Sequence, residues 1–103
     1  MDNSQRVHMW IEAGKQVGKS FSFERDNVIF WSSVAIQRWN DGYKLYIDEI
    51  EEEYIQGEEY AREEIIYRTH LYEIEDIIKQ TTSLTIDDLV PLKGQKIFNP
   101  KFE

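Results

Sequence analysis

The sequence lacks cysteine, so disulfide bonds, thiolate metal sites and cysteine nucleophiles are excluded. It has only two prolines and five glycines in 103 residues, and neither type clusters into a linker between domains. No apolar run approaches the roughly 20 residues that a membrane-spanning helix needs. The first residues also lack the basic start and apolar core of a secretory signal. We therefore expect one cytoplasmic domain over residues 1–103, with no membrane association.

Basic residues are also scarce, since 12 lysines and arginines stand against 20 acids and the net charge is −8. The excess is local: residues 48–76, here called the acidic block, carry twelve acids and two arginines, a net charge of −10, while each flank is +1. Phosphate binding requires a basic surface, so direct binding of nucleic acid is not expected. This charge favours a cationic protein as the partner.

Short apolar or alternating segments between turn residues predict most of an antiparallel sheet. The predicted strands cover residues 7–13, 20–25, 28–31, 34–39 and 43–50. The third is a continuous apolar run, so we expect it to be buried on both faces, with Trp31 in the core. Ser32 and Ser33 are expected to mark a bend after it.

Asn40-Asp41-Gly42 between two β-rich runs predicts a hairpin, because glycine accepts the positive φ that such a turn demands. A two-residue turn at Asp41-Gly42 would pair Ile36 with Ile47. A three-residue loop would shift the pairing by one residue, and the sequence is compatible with both.

Residues 58–80 fit either one long helix or a strand followed by a helix. The second interpretation is favoured, because Ile-Ile-Tyr-Arg-Thr within residues 64–69 is poor in strong helix formers. It places the main helix at residues 71–80, with Thr69 as its cap.

The pattern Thr85-x-x-Asp88 predicts a short second helix over residues 86–90, which Pro91 ends. Residues 93–98 are expected to form a last edge strand or an ordered tail. Several strands followed by helices predict an α+β fold: an antiparallel sheet of about five strands, with both helices on one face.

No motif for catalysis or cofactor binding is complete. Gly18-Lys19-Ser20 resembles the end of a phosphate-binding loop, but Ala13 stands where the loop needs glycine. His70 and Glu73 on one helix face would give two metal ligands, whereas a site needs three or four. We therefore expect a protein that is not an enzyme and has no cofactor or metal.

Residues 51–60, here called the acidic loop, place Tyr54, Ile55 and Tyr60 among acids. One interpretation is a solvated loop that maintains solubility. The other is a binding surface, because clustered like charges cost stability and a cationic partner would compensate for that cost. Tyrosine is enriched at such interfaces.

Small size, acidity, lack of cysteine and the α+β layout resemble the immunity proteins that neutralise bacterial toxins. The resemblance implies an inhibitor whose acids and aromatics cover the positive cleft of a basic toxin, such as a nuclease. The residues expected to contact that partner are Glu51, Glu52, Glu53, Tyr54, Glu58, Glu59, Tyr60 and Glu63. The alternatives are a small-ligand-binding domain, or a regulatory or scaffolding domain that self-associates through a sheet edge or aromatic patch. The expected state is a monomer or a homodimer.

Overall fold

A computed structural model describes residues 3–57 and 59–92 of the chain. Within these residues the helices are α1 (Asn3–Glu12) and α2 (Leu71–Thr81), with single 3₁₀ turns at Glu52–Tyr54 and Ile86–Asp88. The strands are β1 (Val17–Arg25), β2 (Val28–Trp39), β3 (Gly42–Glu51), β4 (Arg62–Arg68) and β5 (Val90–Pro91). They form one sheet in the order β4-β3-β2-β1-β5, and every neighbouring pair is antiparallel. The predicted α+β class is confirmed.

The main core lies between one face of this sheet and the two helices. Its buried members from the central strands and the helices are Val34, Ile36, Leu45, Ile47, Val7, Ile11, Ile74 and Ile78. We call this side of the sheet the helix face. It carries the even-numbered residues of β2, because side chains alternate between the faces of a strand. The odd-numbered residues of β2 lie on the opposite side, here called the second face.

The first element is a helix, so the strand predicted at residues 7–13 is wrong. Val7 and Ile11 are almost fully buried, whereas Met9 between them is 57% exposed. The buried pair is four residues apart, which places both on one side of a helix. The apparent alternation came from Met9, which does not belong to the buried set.

Strand β2 continues through Ser32 and Ser33, so the predicted bend is absent. The Ser32 hydroxyl donates to the Asp48 carbonyl at 2.7 Å, and the Ser33 amide donates to the Asp48 carboxylate at 2.7 Å. These bonds to β3 satisfy polar groups inside the sheet. Of residues 28–31, only Phe30 is buried, so the expected burial on both faces is also wrong.

The predicted hairpin between β2 and β3 is present, and its turn is Asn40–Asp41, with Asn40 at φ 50°. Ile36 therefore lies opposite Leu45, two residues from the predicted pairing with Ile47. Because the shift is even, the same side chains still face the core.

The strand and helix predicted for residues 58–80 are confirmed as β4 and α2. The helix cap is His70 rather than Thr69, and the His70 amide donates to the Glu73 carboxylate at 3.1 Å. An acid at this position of the first turn satisfies one of the free amides of the helix end.

Thr85 begins the second short helix as predicted, and its amide donates to the Asp88 carboxylate at 2.9 Å. This element is one 3₁₀ turn, shorter than the predicted residues 86–90, because the chain becomes extended at Leu89 and enters β5. The prediction for residues 93–98 lies outside the described residues. Over the described ranges, no helix has the length and apolarity needed to cross a membrane.

Candidate functional site

The acidic loop starts at Glu51, the last residue of β3, continues with the 3₁₀ turn at Glu52–Tyr54 and leads to β4. Tyr54 is 45% exposed, and Tyr60 is 42% exposed. The Glu59 amide donates to the Tyr54 carbonyl at 3.4 Å, which brings the two halves of the loop together. The exposed acids of the described loop, none of which forms an ion pair there, are Glu52, Glu53 and Glu59. Glu58 lies outside the described residues.

Trp31 adds an exposed indole to this loop, so its predicted place in the core is wrong. It lies on the second face, opposite Ile50, and is 40% exposed. Its indole Nε1 donates to the Glu52 carboxylate at 3.4 Å. Ile29, two residues earlier on the same face, is also exposed. The strand and the loop thus form one surface.

We call this surface the acidic aromatic surface and define it by Trp31, Glu52, Glu53, Tyr54 and Glu59. The signal for Trp31 was present in the sequence of β2. Phe30 and Val34 share the helix face, so the odd positions had to point away from the helices. This alternation connects Trp31 with Val34 only because β2 is one unbroken strand, without the bend expected at Ser32 and Ser33.

Two predicted contact residues lie apart from this surface. Glu51 is opposite Phe30, so its side chain belongs to the helix face. Glu63 is on β4, opposite Asp48, and its carboxylate accepts a hydrogen bond from the Tyr46 hydroxyl at 2.8 Å. Successive side chains of a strand point to opposite faces of the sheet, which separates residues that are close in sequence. Glu63 therefore belongs to a different cluster.

That cluster consists of Tyr46, Asp48 and Glu63 on the second face. The Tyr46 hydroxyl lies 3.0 Å from the Asp48 carboxylate as well as 2.8 Å from that of Glu63. Burial raises the pKa of Asp48, while hydrogen bonds from the Ser33 amide and Tyr46 oppose that rise. Burial also raises the pKa of Tyr46, with hydrogen bonding to Glu63 as the next cause.

The cluster supplies two carboxylates, whereas a structural metal site uses about four ligands. Among the described residues, no group of three or more histidines and acids is placed to hold a metal ion. His70 and Glu73, the pair considered from sequence, instead form the start of α2.

Three other acids of the acidic block lie beside basic side chains of the fold. Glu49 lies 3.0 Å from Arg25 and 3.7 Å from Arg62, and Glu64 lies 3.1 Å from Arg62. Glu75 lies 2.9 Å from His8. Asp48, Glu63, Glu73 and Asp76 of the block also form no ion pair among the described residues, so the acidic loop carries part of its uncompensated charge.

Arg25 shows how this protein holds a guanidinium group. Its guanidinium carbon is 5.1 Å from the ring centres of both Phe23 and Phe30, and its nitrogen bonds to Glu49 at 3.0 Å. Aromatic rings and a carboxylate together stabilise a cation by cation–π and charge-assisted contacts. The acidic aromatic surface presents the same chemical groups without a basic partner among the described residues.

A depression of about 290 Å³ lies at the tip of the β2–β3 hairpin. Its lining includes Trp39, Tyr43, Tyr67 and Arg68. Ligand sites usually enclose roughly 300–1,000 Å³ and contain convergent polar groups. This depression is wide open to solvent, whereas a ligand site buries most of its ligand, so it gives little support to the small-ligand alternative.

Comparisons of the chain with protein-family models, curated proteins and solved structures gave no match.

Proposed function

We propose that this protein binds and neutralises a basic protein through the acidic aromatic surface. The observation that carries the proposal is the exposed Trp31, which is hydrogen-bonded to Glu52 at the edge of a loop whose described acids have no basic partner. Tryptophan is enriched at protein interfaces, so an exposed tryptophan bonded to an acid of this loop supports a binding role.

Electrostatic attraction would bring the partner to the loop. Glu52, Glu53 and Glu59 belong to one loop and have no ion-pair partner among the described residues, so their fields add. Such a patch accelerates encounter with a cationic surface, and the acceleration decreases as salt screens the charges. Binding should therefore be strongly sensitive to ionic strength.

The aromatic side chains would hold the partner after encounter. Tryptophan and tyrosine are enriched among the residues that dominate binding energy at protein interfaces. Trp31 and Tyr54 can receive an arginine or lysine over their rings while Glu52 bonds to the cationic group, as Phe23, Phe30 and Glu49 do for Arg25.

The resemblance to immunity proteins supports a toxin, such as a basic nuclease, as the partner class. In this proposal the acidic loop covers the cationic cleft that the toxin uses to bind phosphates. Glu58 and Tyr60 of the same loop would contribute to this contact.

The test is capture of proteins from a lysate of the source organism at low and high salt, with the wild type, Trp31→Ala and Tyr72→Ala. Tyr72 is a matched control, because it is an aromatic residue 61% exposed on α2, away from the loop. We expect a basic protein to be retained at low salt, with an affinity weakened roughly tenfold or more by W31A and little changed by Y72A.

Failure to retain any basic protein at low salt would contradict the proposal. Equal retention by W31A and the wild type would remove Trp31 from the binding surface. Thermal unfolding of both variants checks that a loss of binding does not reflect a loss of fold.

A further inference from the structure

Strand β4 is at one edge of the sheet, and none of the other described strands pairs with its outer side. An edge strand presents unpaired backbone groups that can bind another strand. Charged side chains protect such edges against non-specific pairing, and four of the seven residues of β4 are charged. Here the charges are at the ends, and the centre of β4 is the apolar run Ile65, Ile66 and Tyr67.

We infer that two copies of this chain pair through β4, antiparallel and centred on Ile66, to form a continuous ten-stranded sheet. This inference goes beyond the proposed function and does not rest on it. The occupant of the edge is a second copy, because the charges of β4 complement themselves in this register.

In this register, Glu64 of each copy, which also lies 3.1 Å from Arg62 of its own chain, is opposite the partner copy's Arg68. Both residues are exposed, and both belong to the helix face together with Ile66. On the second face, Ile65 lies opposite the other copy's Tyr67, which is 50% exposed. Opposite charges and aromatic–β-branched pairs across strands each stabilise a sheet.

The neighbouring registers are less favourable. A two-fold axis perpendicular to the sheet keeps the helix faces of both copies on the same side of the sheet. Residues directly opposite each other must then belong to the same face, so the axis must pass beside one residue and its own copy. Centring on Tyr67 places Arg68 opposite Ile66, so no opposite charges of β4 meet. Centring on Ile65 places Arg62 opposite Arg68, and centring on Glu64 places that acid opposite itself. Like charges directly opposite each other destabilise a sheet.

Repulsion between the acidic loops does not oppose this arrangement strongly. The two Arg62 residues, at which the loops end, would be eight residues apart along the strands, or about 26 Å at ~3.3 Å per residue. That separation exceeds the screening length of about 8 Å at physiological ionic strength. The dimer would thus present two separate acidic aromatic surfaces.

The test is sedimentation velocity of wild type, Glu64→Lys and Arg68→Glu, each alone and as an equimolar mixture of the two variants. Each single variant places two like-charge pairs across the axis, so we expect the dimer to weaken by roughly tenfold or more. In the mixture, Lys at 64 meets Glu at 68 and Arg68 meets Glu64, so heterodimers should form at the wild-type level.

Asp76→Lys and Lys79→Glu make the same charge changes on α2 and should leave the dimer unchanged. A wild type that is monomeric at the highest attainable concentration would overturn the inference. The inference would also be overturned if neither single substitution weakened the dimer. The same holds if the mixture of the two variants associated no better than either variant alone. Circular dichroism of each variant confirms folding.

Discussion

At the residue scale, the least expected feature is one phenolic hydroxyl between two carboxylates. Tyr46 has a single proton to donate, yet its oxygen lies within hydrogen-bond distance of both Asp48 and Glu63. The two acids are also directly opposite each other on β3 and β4. Burial raises the pKa of Asp48, and the neighbouring charge of Glu63 adds to that rise, because like charges in partly buried sites disfavour each other.

Asp48→Asn tests this cluster. Burial raises the pKa of Asp48 above its ordinary value of 3.8, so the folded state binds this proton more tightly than the unfolded state. The stability due to this group is therefore present at low pH and decreases as pH rises through the raised pKa. Each unit of elevation corresponds to ~1.4 kcal/mol.

Asparagine retains the acceptor for the Ser33 amide and removes the charge. We expect D48N to gain stability relative to the wild type between pH 4 and pH 7, measured by urea unfolding. Asp76→Asn, an exposed aspartate on α2, controls for the loss of one acid. A D48N variant that is equally destabilised at both pH values would show that burial of the carboxylate does not govern this cluster.

At the element scale, Gly42 shows that a glycine in a turn motif can serve a different purpose. It is the first residue of β3, and a Cβ there would lie 2.5 Å from the Arg68 carbonyl of β4. The residue with positive φ is Asn40, at φ 50°. Gly42 therefore permits the close approach of two strands.

Gly42→Ala should lower the free energy of unfolding by about 1–3 kcal/mol, because the new methyl group meets backbone that cannot rotate away. Gly57→Ala is the matched control, since its nearest neighbours would be 3.8 Å away and its cost should be within about 0.5 kcal/mol. Urea unfolding of both variants measures the difference. Equal stabilities would show that β4 can shift away from β3.

The extent to which elements were predictable follows from the same residues. The strands before and after Asp26–Asn27, the hairpin, β4 and α2 each have a local signal that the tertiary structure retains. Helix α1 lacks such a local signal, because the spacing of Val7, Met9 and Ile11 is typical of a strand. In the folded protein the core buries only Val7 and Ile11. The hairpin register was missed because Asn40 adopts the left-handed conformation that Gly42 was expected to supply.

The candidate site was predictable in part for a comparable reason. The charge of the acidic loop is a property of composition, and the loop is exposed as a binding hypothesis requires. The place of Trp31 depends on which face of β2 the helices cover, and that is a tertiary fact. The alternation of side chains between the two faces of β4 likewise directs Glu63 toward Tyr46 and away from the loop.

At the scale of the whole molecule, charge is distributed in a way that total composition conceals. The acidic block carries a net charge of −10, yet Glu49 and Glu64 have arginine partners inside the fold. The acidic loop contributes three described acids without an ion pair, Glu52, Glu53 and Glu59, beside one exposed indole. The central claim is that this position, rather than the net charge, determines binding.

The most direct test compares two triple variants with the same net charge. Glu52, Glu53 and Glu59→Gln neutralises the acidic loop, whereas Asp41, Asp76 and Asp87→Asn neutralises exposed acids elsewhere; each removes three negative charges and changes the net charge from −8 to −5. Their affinities for the basic protein captured by the wild type are measured by titration calorimetry at low salt. We predict a loss of roughly tenfold or more for the loop triple and little change for the control. Equal losses in both triples, or no loss in the loop triple, would contradict the account.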